Sequence, residues 1–224
     1  MKEYPQVIGE FETLDLILQG HSIARYGDGE FNIVQGRNCV SQKGDTKLQH
    51  ELKSILMNKN PRLLVGIPTM DPKGVKYDRW GKYAPKYKQF LKEGKRYYSS
   101  FITRPDSAQW CFDTKYWDKL KQIWTGKDIT LVRGSNRSLH PELLSEAKSI
   151  YEVSTPYSDA YVEIDRIEKD IYRALPEAGP VILCCGATAT VLASRLCGKG
   201  YHAIDLGHVG MFINKEGKKE TTND

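Results

Sequence analysis

Short apolar runs alternate along most of the chain with segments whose apolar residues recur at helical spacing. The apolar runs predict buried strands at 22–26 (SIARY), 62–67 (RLLVGI), 97–102 (YYSSFI), 128–132 (DITLV), 149–153, 181–185 (VILCC) and 201–205. The periodic segments predict helices at 11–19, 46–58, 114–124, 161–174 and 189–197. Residues 69–96 are polar, aromatic and rich in Lys, which predicts a loop with one helix that covers a site.

This alternation predicts an α/β fold with a mostly parallel sheet and helices on both faces. The clearest unit is the strand–helix–strand crossover over 181–205, whose connections are short. In such folds a ligand lies beyond the carboxyl ends of the strands. The polar segments that follow the predicted strands are GDGE (27–30), IPT (67–69), TRPD (103–106), RGSNR (133–137), GAT (186–188) and DLGH (205–208). We expect all of them on one rim of the sheet.

Composition narrows the class of protein. A chain of 224 residues suits a single domain, with a tail from about residue 215 that we expect to fray. The net charge of +5 is compatible with an anionic ligand, but the basic residues are too dispersed for a nucleic-acid binder. Five cysteines without a CxxC pair indicate neither a disulfide framework nor a zinc site. There is no apolar leader and no run near the ~20 residues of a membrane span, so we expect a cytoplasmic protein without a transmembrane segment.

The stretch RYGDGE (25–30) places two carboxylates two residues apart behind glycines. Asp28 and Glu30 offer hard oxygen ligands that suit Mg²⁺ or Mn²⁺, while Gly27 lets the backbone approach a ligand closely. Arg25 is a candidate for binding phosphate in a fork. The alternative is a turn in which Asp28 caps a helix and Glu30 occupies its first turn.

Two later segments carry further candidates. In GAT, the turn at Gly186 and the Thr188 hydroxyl are placed to hold phosphate or sugar oxygens at a helix N-terminus. Neither a GxxxxGK[ST] loop nor a GxGxxG fingerprint is present, and an ordinary turn with a Thr cap explains GAT as well. In DLGH, Asp205 and His208 are candidates for a metal ligand or an acid–base group, or else for a capped turn and a surface histidine.

The remaining candidates are individually weaker. Arg104, Arg133 and Arg137 follow strands and suit a diphosphate, although surface ion pairs are their commoner role. Ser135 and Asn136 suit a base or a sugar. Aromatic residues in 77–98 suit stacking on a ring or simple packing: Tyr77, Trp80, Tyr83, Tyr87, Tyr97 and Tyr98. No GxSxG elbow is present. Acids, arginines and helix N-termini on one rim indicate a metal-assisted site for a phosphorylated or diphosphate ligand.

Three segments together resemble a known family. RYGDGEF, SFITRP and GATATVLASRLCGKGYHAIDLGHV, in this order and spacing, resemble the GT-D type glycosyltransferases, bacterial enzymes often encoded with adhesin-glycosylation or surface-polysaccharide functions. The similarity runs from about Ser22 to Phe212. The family's motifs fall on Asp28 and Glu30 (Asp-x-Glu), on Gly186, Thr188 and Ala189 (Gly-x-Thr-Ala) and on Asp205 and His208 (Asp-x-Gly-His). One departure is visible, because Cys185 and Ala187 stand where LGPTA would have Leu and Pro.

The resemblance implies a single Rossmann-like domain that binds a nucleotide-sugar, typically a UDP-sugar, with Mn²⁺ or Mg²⁺ at Asp28 and Glu30. We therefore expect a hexose to be transferred to a hydroxyl of a glycan or glycoprotein acceptor, with a homo-oligomer possible. The cation would neutralise charge on the leaving diphosphate, helped by Arg25 and a helix N-terminus. Asp205 and His208 both stay open as base or metal ligand. A metal-dependent phosphoesterase or nucleotide hydrolase, or a non-catalytic nucleotide-sugar binding protein, would use the same residues.

Overall fold

A computed structural model describes the protein over residues 3–70, 78–104, 114–134, 139–174 and 179–212. The strands are β1 (Val7–Ile8), β2 (Ser22–Arg25), β3 (Leu63–Ile67), β4 (Tyr97–Ser99), β5 (Asp128–Arg133), β6 (Ser149–Ser154), β7 (Val181–Cys184) and β8 (Ala203–Asp205). The helices are α1 (Glu10–Leu18), α2 (Asp28–Val34), α3 (Thr46–Leu56), α4 (Asp78–Gly81), α5 (Ala84–Tyr87), α6 (Thr114–Lys121), α7 (Ile164–Ala174) and α8 (Ala187–Gly198).

In the described part of the chain, eight strands form one sheet in the order β1-β4-β3-β2-β8-β7-β5-β6. Every neighbouring pair runs parallel. The expected α/β fold is confirmed, and the sheet is fully parallel where the sequence predicted a mostly parallel one. All carboxyl ends therefore lie along one edge, which is where the polar segments of the sequence follow their strands.

Helices cover both faces of the sheet. Crossovers between parallel strands are right-handed, so the direction in which each connection moves along the sheet fixes its face. Connections that move from β6 towards β4 carry α3, α7 and α8, and α8 contacts both α3 and α7. Connections that move the opposite way carry α1 and α6, which contact each other on the other face.

The centre of the sheet is built from strands buried along their whole length. All four residues of β2 and of β7 and all five of β3 are buried, as expected of a strand covered on both faces. Helix α8 is buried around most of its circumference and packs on β2 and β8. The Thr190 hydroxyl of α8 donates to the Arg25 carbonyl oxygen at 2.8 Å, which ties this helix to the end of β2.

The sequence located most elements, with errors at their ends. Asp45 caps α3, because its Oδ1 accepts a hydrogen bond from the Leu48 N–H at 3.0 Å. Strand β4 is shorter than predicted, since a 3₁₀ turn starts at Ser100. Residues 78–90 form two short helices and a 3₁₀ turn where one helix was predicted. Strand β1 was not predicted at all.

Across the residues that the structure describes, no helix has both the length and the apolar character needed to cross a membrane.

Candidate functional site

A pocket of about 570 Å³ opens at the carboxyl edge of the sheet, beside the ends of β2, β8 and β4. We call it the acidic pocket. Its lining includes Arg25, Gly27, Asp28, Glu30, Trp80, Arg104, Gly186, Asp205, Gly207 and His208. The pocket therefore joins candidate residues from RYGDGE, TRPD, GAT and DLGH, as the shared strand direction predicted.

The two acids lie in the first turn of α2. Gly27 is the N-cap, Asp28 is the first helical residue and Glu30 the third. The Glu30 side chain turns back, and its Oε2 accepts a hydrogen bond from the Gly27 N–H at 2.7 Å. Residues two apart on a helix do not face each other. The Asp28 carboxylate is accordingly exposed at the pocket, whereas that of Glu30 is partly buried against the helix start.

The environment of Glu30 favours its neutral form. The pKa of Glu30 is raised to about 7, chiefly by burial and also by the negative charges of Asp205 and Asp28, while the hydrogen bond from Gly27 opposes the shift. Near neutral pH the Glu30 carboxyl group is thus poised between its charged and uncharged forms. A cation brought next to it would favour the carboxylate.

Beneath these acids Arg25 and Asp205 form a buried pair. The distance between Arg25 Nη2 and Asp205 Oδ1 is 3.5 Å, and the Arg25 backbone N–H donates to Asp205 Oδ2 at 3.2 Å. Arg25 Nη1 also donates to the Ser100 carbonyl oxygen at 2.9 Å and to the Thr103 hydroxyl at 2.5 Å. Burial raises the pKa of Asp205, and Arg25 acts against that shift. The Arg25 fork predicted for phosphate is thus already bonded to protein groups.

The turn after β8 brings His208 to the pocket. Gly207 has φ +53°, and a Cβ at this position would collide with Nη2 of Arg25, so the chain passes directly over the guanidinium group. His208 is exposed at the rim of the pocket. Partial shielding from solvent lowers the pKa of His208, as do the positive charges of Arg25 and Arg104. The imidazole is therefore neutral near pH 7, the form that accepts a proton.

Arg104 also lines the pocket, next to the segment that follows His208. It follows the 3₁₀ turn after β4, and its guanidinium carbon lies 5.8 Å from the centroid of the Phe212 ring. This stacking contact fixes the side chain next to the short helix that follows His208. Arg104 lines the acidic pocket and stays a prediction as a phosphate contact.

The GAT segment supplies a helix N-terminus to the same pocket. Gly186 is the N-cap of α8 with φ +61°, so a left-handed residue makes the turn from β7 into the helix. Gly186 lines the pocket. Thr188 is fully buried, and its hydroxyl points to Oε1 of Gln42 at 3.5 Å. The Thr188 side chain thus holds the neighbouring loop, and its predicted contact with a ligand stays a prediction.

That loop, residues 36–45, was not recognised from the sequence. Cys39 and Gln42 form a bridge across the turn of Val40 and Ser41. The turn is anchored by Asp159, whose backbone N–H donates to the Ser41 carbonyl oxygen at 2.9 Å and whose Oδ1 accepts from the Lys43 N–H at 2.6 Å. Asp159 has φ +56°, which is uncommon for a residue with a side chain. The glycines at 36 and 44 that flank this loop are the signal available in the sequence.

A second, smaller pocket of about 170 Å³ lies on the other side of this turn, at the ends of β7, β5 and β6. We call it the small pocket. Its lining consists of Val40, Ser41, Gly134, Pro156, Tyr157, Ala160, Cys184, Cys185, Gly186, Gly207 and His208. Val40, Ser41, Gly186, Gly207 and His208 line both pockets, so the two pockets are adjacent, and we call them together the cleft.

Most aromatic candidates between 78 and 98 turn out to pack against each other. Tyr87 stacks on Phe31 with centroids 3.9 Å apart, and Tyr83 stacks on Tyr87 at 5.6 Å. Trp80 differs, because it lines the acidic pocket while packing on Phe101 at 5.3 Å. Trp80 is thus the aromatic of this segment that is placed beside the candidate site.

The donor set at α2 fits a Mg²⁺ or Mn²⁺ ion that is shared with a ligand. Within the described ranges, no group of three or more His, Cys, Asp or Glu side chains is arranged to hold a metal ion. Mg²⁺ commonly takes one or two carboxylates and completes its shell with water and substrate phosphates. Asp28 and Oε1 of Glu30, the oxygen not bonded to Gly27, supply such carboxylate oxygens at the pocket.

The structure therefore brings together Arg25, Gly27, Asp28, Glu30, Arg104, Gly186, Asp205 and His208 in one pocket, with Thr188 behind it. Ser135, together with Asn136, Arg137 and Tyr77, lies outside the described residues. Arg133 is turned to an exposed ion pair in which its Nε lies 2.9 Å from Oε2 of Glu152.

The chain is similar in sequence and in fold to proteins described as glycosyltransferases. The sequence profile of the family described as "Glycosyltransferase GT-D fold" matches residues 23–214. The chain is 31% identical over 222 residues to "Glycosyltransferase GlyD" of Streptococcus pneumoniae serotype 4, covering 91% of this chain and 27% of that protein. It is 30% identical over 212 residues to "Probable glycosyl transferase Gly" of Streptococcus gordonii, covering 88% of this chain and 31% of the relative. The chain thus spans less than a third of the length of these relatives.

Solved structures agree with the profile. A structure described as "the highly conserved domain of unknown function 1792", with "a distinct glycosyltransferase fold", superposes with a TM-score of 0.85 at 29% identity over 96% of this chain and 83% of that one. A second, described as "a new glycosyltransferase (DUF1792) from Streptococcus sanguinis", superposes with a TM-score of 0.82 at 29% identity, over 95% of this chain and 85% of that one.

Proposed function

Because the chain belongs to the family of glycosyltransferases with the GT-D fold, we propose that it transfers a hexose from a UDP-sugar to a hydroxyl group of a glycan or glycoprotein acceptor. The observation that carries the proposal is the acidic pocket. There Asp28, Glu30 and His208 meet the N-terminus of α8 at the carboxyl edge of a parallel sheet. A cytoplasmic location and a homo-oligomer stay predictions from the sequence.

Asp28 and Glu30 are the residues that would hold Mn²⁺ or Mg²⁺ together with the donor diphosphate. When bound, the cation would act as a Lewis acid on the charge that develops on the leaving diphosphate. The N-terminus of α8 at Gly186 adds backbone N–H groups and the positive end of the helix dipole. Its position in the lining of the pocket supports a role next to the phosphates.

His208 is the group best suited to accept the proton of the acceptor hydroxyl. Its imidazole lines the pocket and its pKa is lowered, so it is uncharged at neutral pH. As the acceptor oxygen bonds to the anomeric carbon, the bond to the diphosphate breaks and the proton passes to His208 Nδ1 or Nε2. Asp205 has its carboxylate committed to Arg25, which favours a positioning role for it.

The first test is a calorimetric titration of UDP into the purified chain, with Mn²⁺ and again with EDTA, followed by an assay of UDP release from UDP-sugars. We expect Mn²⁺-dependent binding and slow UDP release to water, both at least about 100-fold weaker in Asp28→Ala. Asp118→Ala is the matched control, because Asp118 is exposed on α6 on the other face of the sheet.

Each contrary outcome has its own meaning. Normal turnover in Asp28→Ala would refute the metal assignment. Release of inorganic phosphate would indicate a phosphoesterase. Binding of UDP without release from any UDP-sugar, even with glycan acceptors added, would indicate a non-catalytic binding protein.

A further inference from the structure

Among the strands that the structure describes, β6 forms the longer edge of the sheet. The other edge, β1, has two residues, whereas β6 has six, and all six pair with β5 in an unbroken parallel register. Exposed edges are commonly protected by a proline, a lysine or a bulge, which hinder pairing with another strand. The sequence of β6, SIYEVS, contains none of these. Its outer side is therefore open to a further strand.

The backbone groups of β6 that point away from the sheet follow from its bonds to β5. The Thr155 N–H donates to β5 at 2.9 Å, so residue 155 faces inward. Successive residues of a strand bond to alternate sides, hence Ile150, Glu152 and Ser154 face outward. The Ser154 carbonyl oxygen accordingly accepts from Nη2 of Arg166, on the neighbouring helix, at 3.2 Å. Ile150 and Glu152 are thus the residues whose N–H and C=O groups are placed to bond a partner strand.

An open groove of about 350 Å³ lies beside this edge, between β6 and α7. Its charged lining residues are Glu152 of the strand and Arg166, Asp170 and Arg173 of the helix. Two acids and two arginines balance each other, and Asp170 is paired with both arginines. Such a surface does not select a strongly charged partner such as a nucleic acid or an anionic membrane. It suits a partner that carries the same mixture of charges.

Tyr151 adds an exposed aromatic side chain at the middle of β6, with 44% of its surface accessible. Its register partner in β5 is Thr130, whose hydroxyl donates to the Ala174 carbonyl oxygen of α7 at 3.5 Å. Paired residues of neighbouring strands point to the same face of a sheet. Tyr151 therefore lies on the face that α7 covers, at the open side of the groove.

The sequence of β6 is suited to pairing with itself. Two copies related by a twofold axis perpendicular to the sheet run antiparallel, and outward-facing residues then lie opposite each other. An axis through Glu152 would set two carboxylates opposite each other, which is unfavourable. An axis through Tyr151 instead pairs Ile150 with Glu152 of the second copy, and the reverse. It also sets the two tyrosines opposite each other, which is a favourable aromatic pair.

From these observations we infer that β6 is a dimer interface, where it pairs antiparallel with β6 of a second copy of this chain about an axis at Tyr151. The two sheets then join into one continuous sheet, as in other cases where a strand is added to an exposed edge. Because the strands of the two copies run in opposite directions, their clefts open at opposite ends of the dimer. The inference concerns assembly and does not rest on the proposed sugar transfer.

The first test is sedimentation equilibrium of the full chain at about 1–100 µM, where we expect twice the mass of one chain. Glu152→Pro leaves the bonds to β5 in place because the N–H that it removes points outward, but its ring obstructs a partner strand. We expect a dimer dissociation constant at least about tenfold higher. Glu152→Ala is the matched control, since it loses the same side chain and keeps the N–H, so it should stay dimeric.

A disulfide experiment tests the register and remains informative if Glu152→Pro does not fold. Tyr151→Cys should form a covalent dimer on mild oxidation, because directly opposite Cβ atoms lie about 4.5–5.5 Å apart or closer. Ser149→Cys is the control, because in this register it stands opposite Val153 of the second copy. It should form far less covalent dimer than Tyr151→Cys.

Several results would overturn the inference. These are a native chain that sediments as a monomer throughout, a Glu152→Pro variant that dimerises like the native chain, and a Glu152→Ala variant that dissociates like Glu152→Pro. Equal cross-linking of Tyr151→Cys and Ser149→Cys would refute the axis at Tyr151. A monomer that transfers sugar would refute the dimer and leave the proposed function intact, whereas a dimer that releases no UDP would do the reverse.

Discussion

Glu30 combines a structural and a chemical task in one carboxyl group, and the two can be separated by substitution. Its Oε2 accepts the hydrogen bond from Gly27 that caps α2. Glu30→Gln keeps an oxygen for this bond but removes the charge, so we expect near-normal stability in urea and at least about 100-fold lower UDP release. Because the pKa of Glu30 is raised from 4.5 to about 7, chiefly by burial, this group contributes stability that is lost as the pH rises from 4.5 through 7. The difference in unfolding free energy between the native chain and Glu30→Gln should therefore change in that direction over this range.

Glu30→Ala serves as the comparison for the cap. It removes both the charge and the acceptor, so it should lose about 0.5–2 kcal/mol of stability in addition to the activity. A Glu30→Gln variant that releases UDP at the native rate would show that the charge of this group is not used.

At Gly207 the backbone passes so close to the Arg25 guanidinium group that an added side chain would displace it. Gly207→Ala would force φ +53° on a residue with a side chain and push its Cβ into Nη2 of Arg25. We expect a loss of about 1–3 kcal/mol in urea unfolding and weaker UDP binding, because Arg25 must leave its contacts with Ser100 and Asp205. Gly198→Ala is the control, since it ends α8 and nothing lies within 4 Å of the position that its new methyl group would take. Equal stability of the two variants would contradict the tight approach.

The lowered pKa of His202 makes the free energy of unfolding depend on pH. Burial lowers the pKa of His202 to about 4, with Lys127 adding to the shift, while an unfolded histidine titrates near 6.5. The unfolded chain therefore binds this proton more tightly, so the stability that His202 contributes is complete above pH 6.5 and declines as the pH falls towards 4. Measured as the difference in urea-unfolding free energy between the native chain and His202→Gln, the loss from this group should be roughly 2 kcal/mol between pH 7.5 and pH 5. His202→Gln should lack that loss, whereas His50→Gln, at an exposed position, should keep it.

At the scale of elements, the sequence predicts those strands and helices whose signal lies within a short stretch of the chain. Strand β7, helix α8 and strand β8 are recognisable because their apolar runs and glycine turns are complete within 25 residues of sequence, 181–205. Strand β1 has two residues, and its pairing partner β4 is far away in sequence, so it carries no local signal. The same reason explains β4, where the pairing ends at Ser99 although the apolar run continues.

The candidate site was also predicted in part: which residues lie together could be predicted, but the direction of their side chains could not. The carboxyl-edge rule brought Asp28, Glu30, His208 and Gly186 together correctly, because that rule depends only on strand direction. It does not reveal where a side chain points. Arg25 turns inward to Asp205, a residue 180 positions away, and Thr188 turns to Gln42. Such pairings depend on tertiary packing between distant parts of the chain, so they cannot be predicted from the spacing of residues along one strand.

In the loop between α2 and α3, Gln42 anchors the turn to neighbouring residues. Gln42 is buried, and its Oε1 accepts from the Tyr161 N–H at 3.2 Å while its Nε2 lies 3.4 Å from Oδ1 of Asp159. Gln42→Ala leaves the buried Tyr161 N–H without this acceptor, so we expect a loss of about 1–3 kcal/mol. Hydrogen exchange of residues 39–43 should accelerate and UDP affinity should fall. Gln89→Ala, at an exposed position, should change none of these, and slow exchange retained in Gln42→Ala would contradict the anchoring role.

At the scale of the whole molecule, the cleft depends on both halves of the sheet. The acidic pocket draws on β4 and β2, whereas the small pocket draws on β7, β5 and β6. Strand β8 lies between the two halves and contributes Gly207 and His208, just beyond its end, to both pockets. A ligand that spans the cleft therefore contacts both halves at once.

This arrangement predicts that the chain unfolds as one unit. The tryptophans at 80, 117 and 124 are all buried, so their fluorescence reports on packing, while far-UV circular dichroism reports on helices of both halves. In urea both probes should follow one transition. UDP with Mn²⁺ at about 100 times its Kd should raise the free energy of unfolding by about 2.7 kcal/mol for both probes alike. Two separate transitions, or a shift seen by one probe only, would mean that the halves are independent domains, and the single-domain prediction would be wrong.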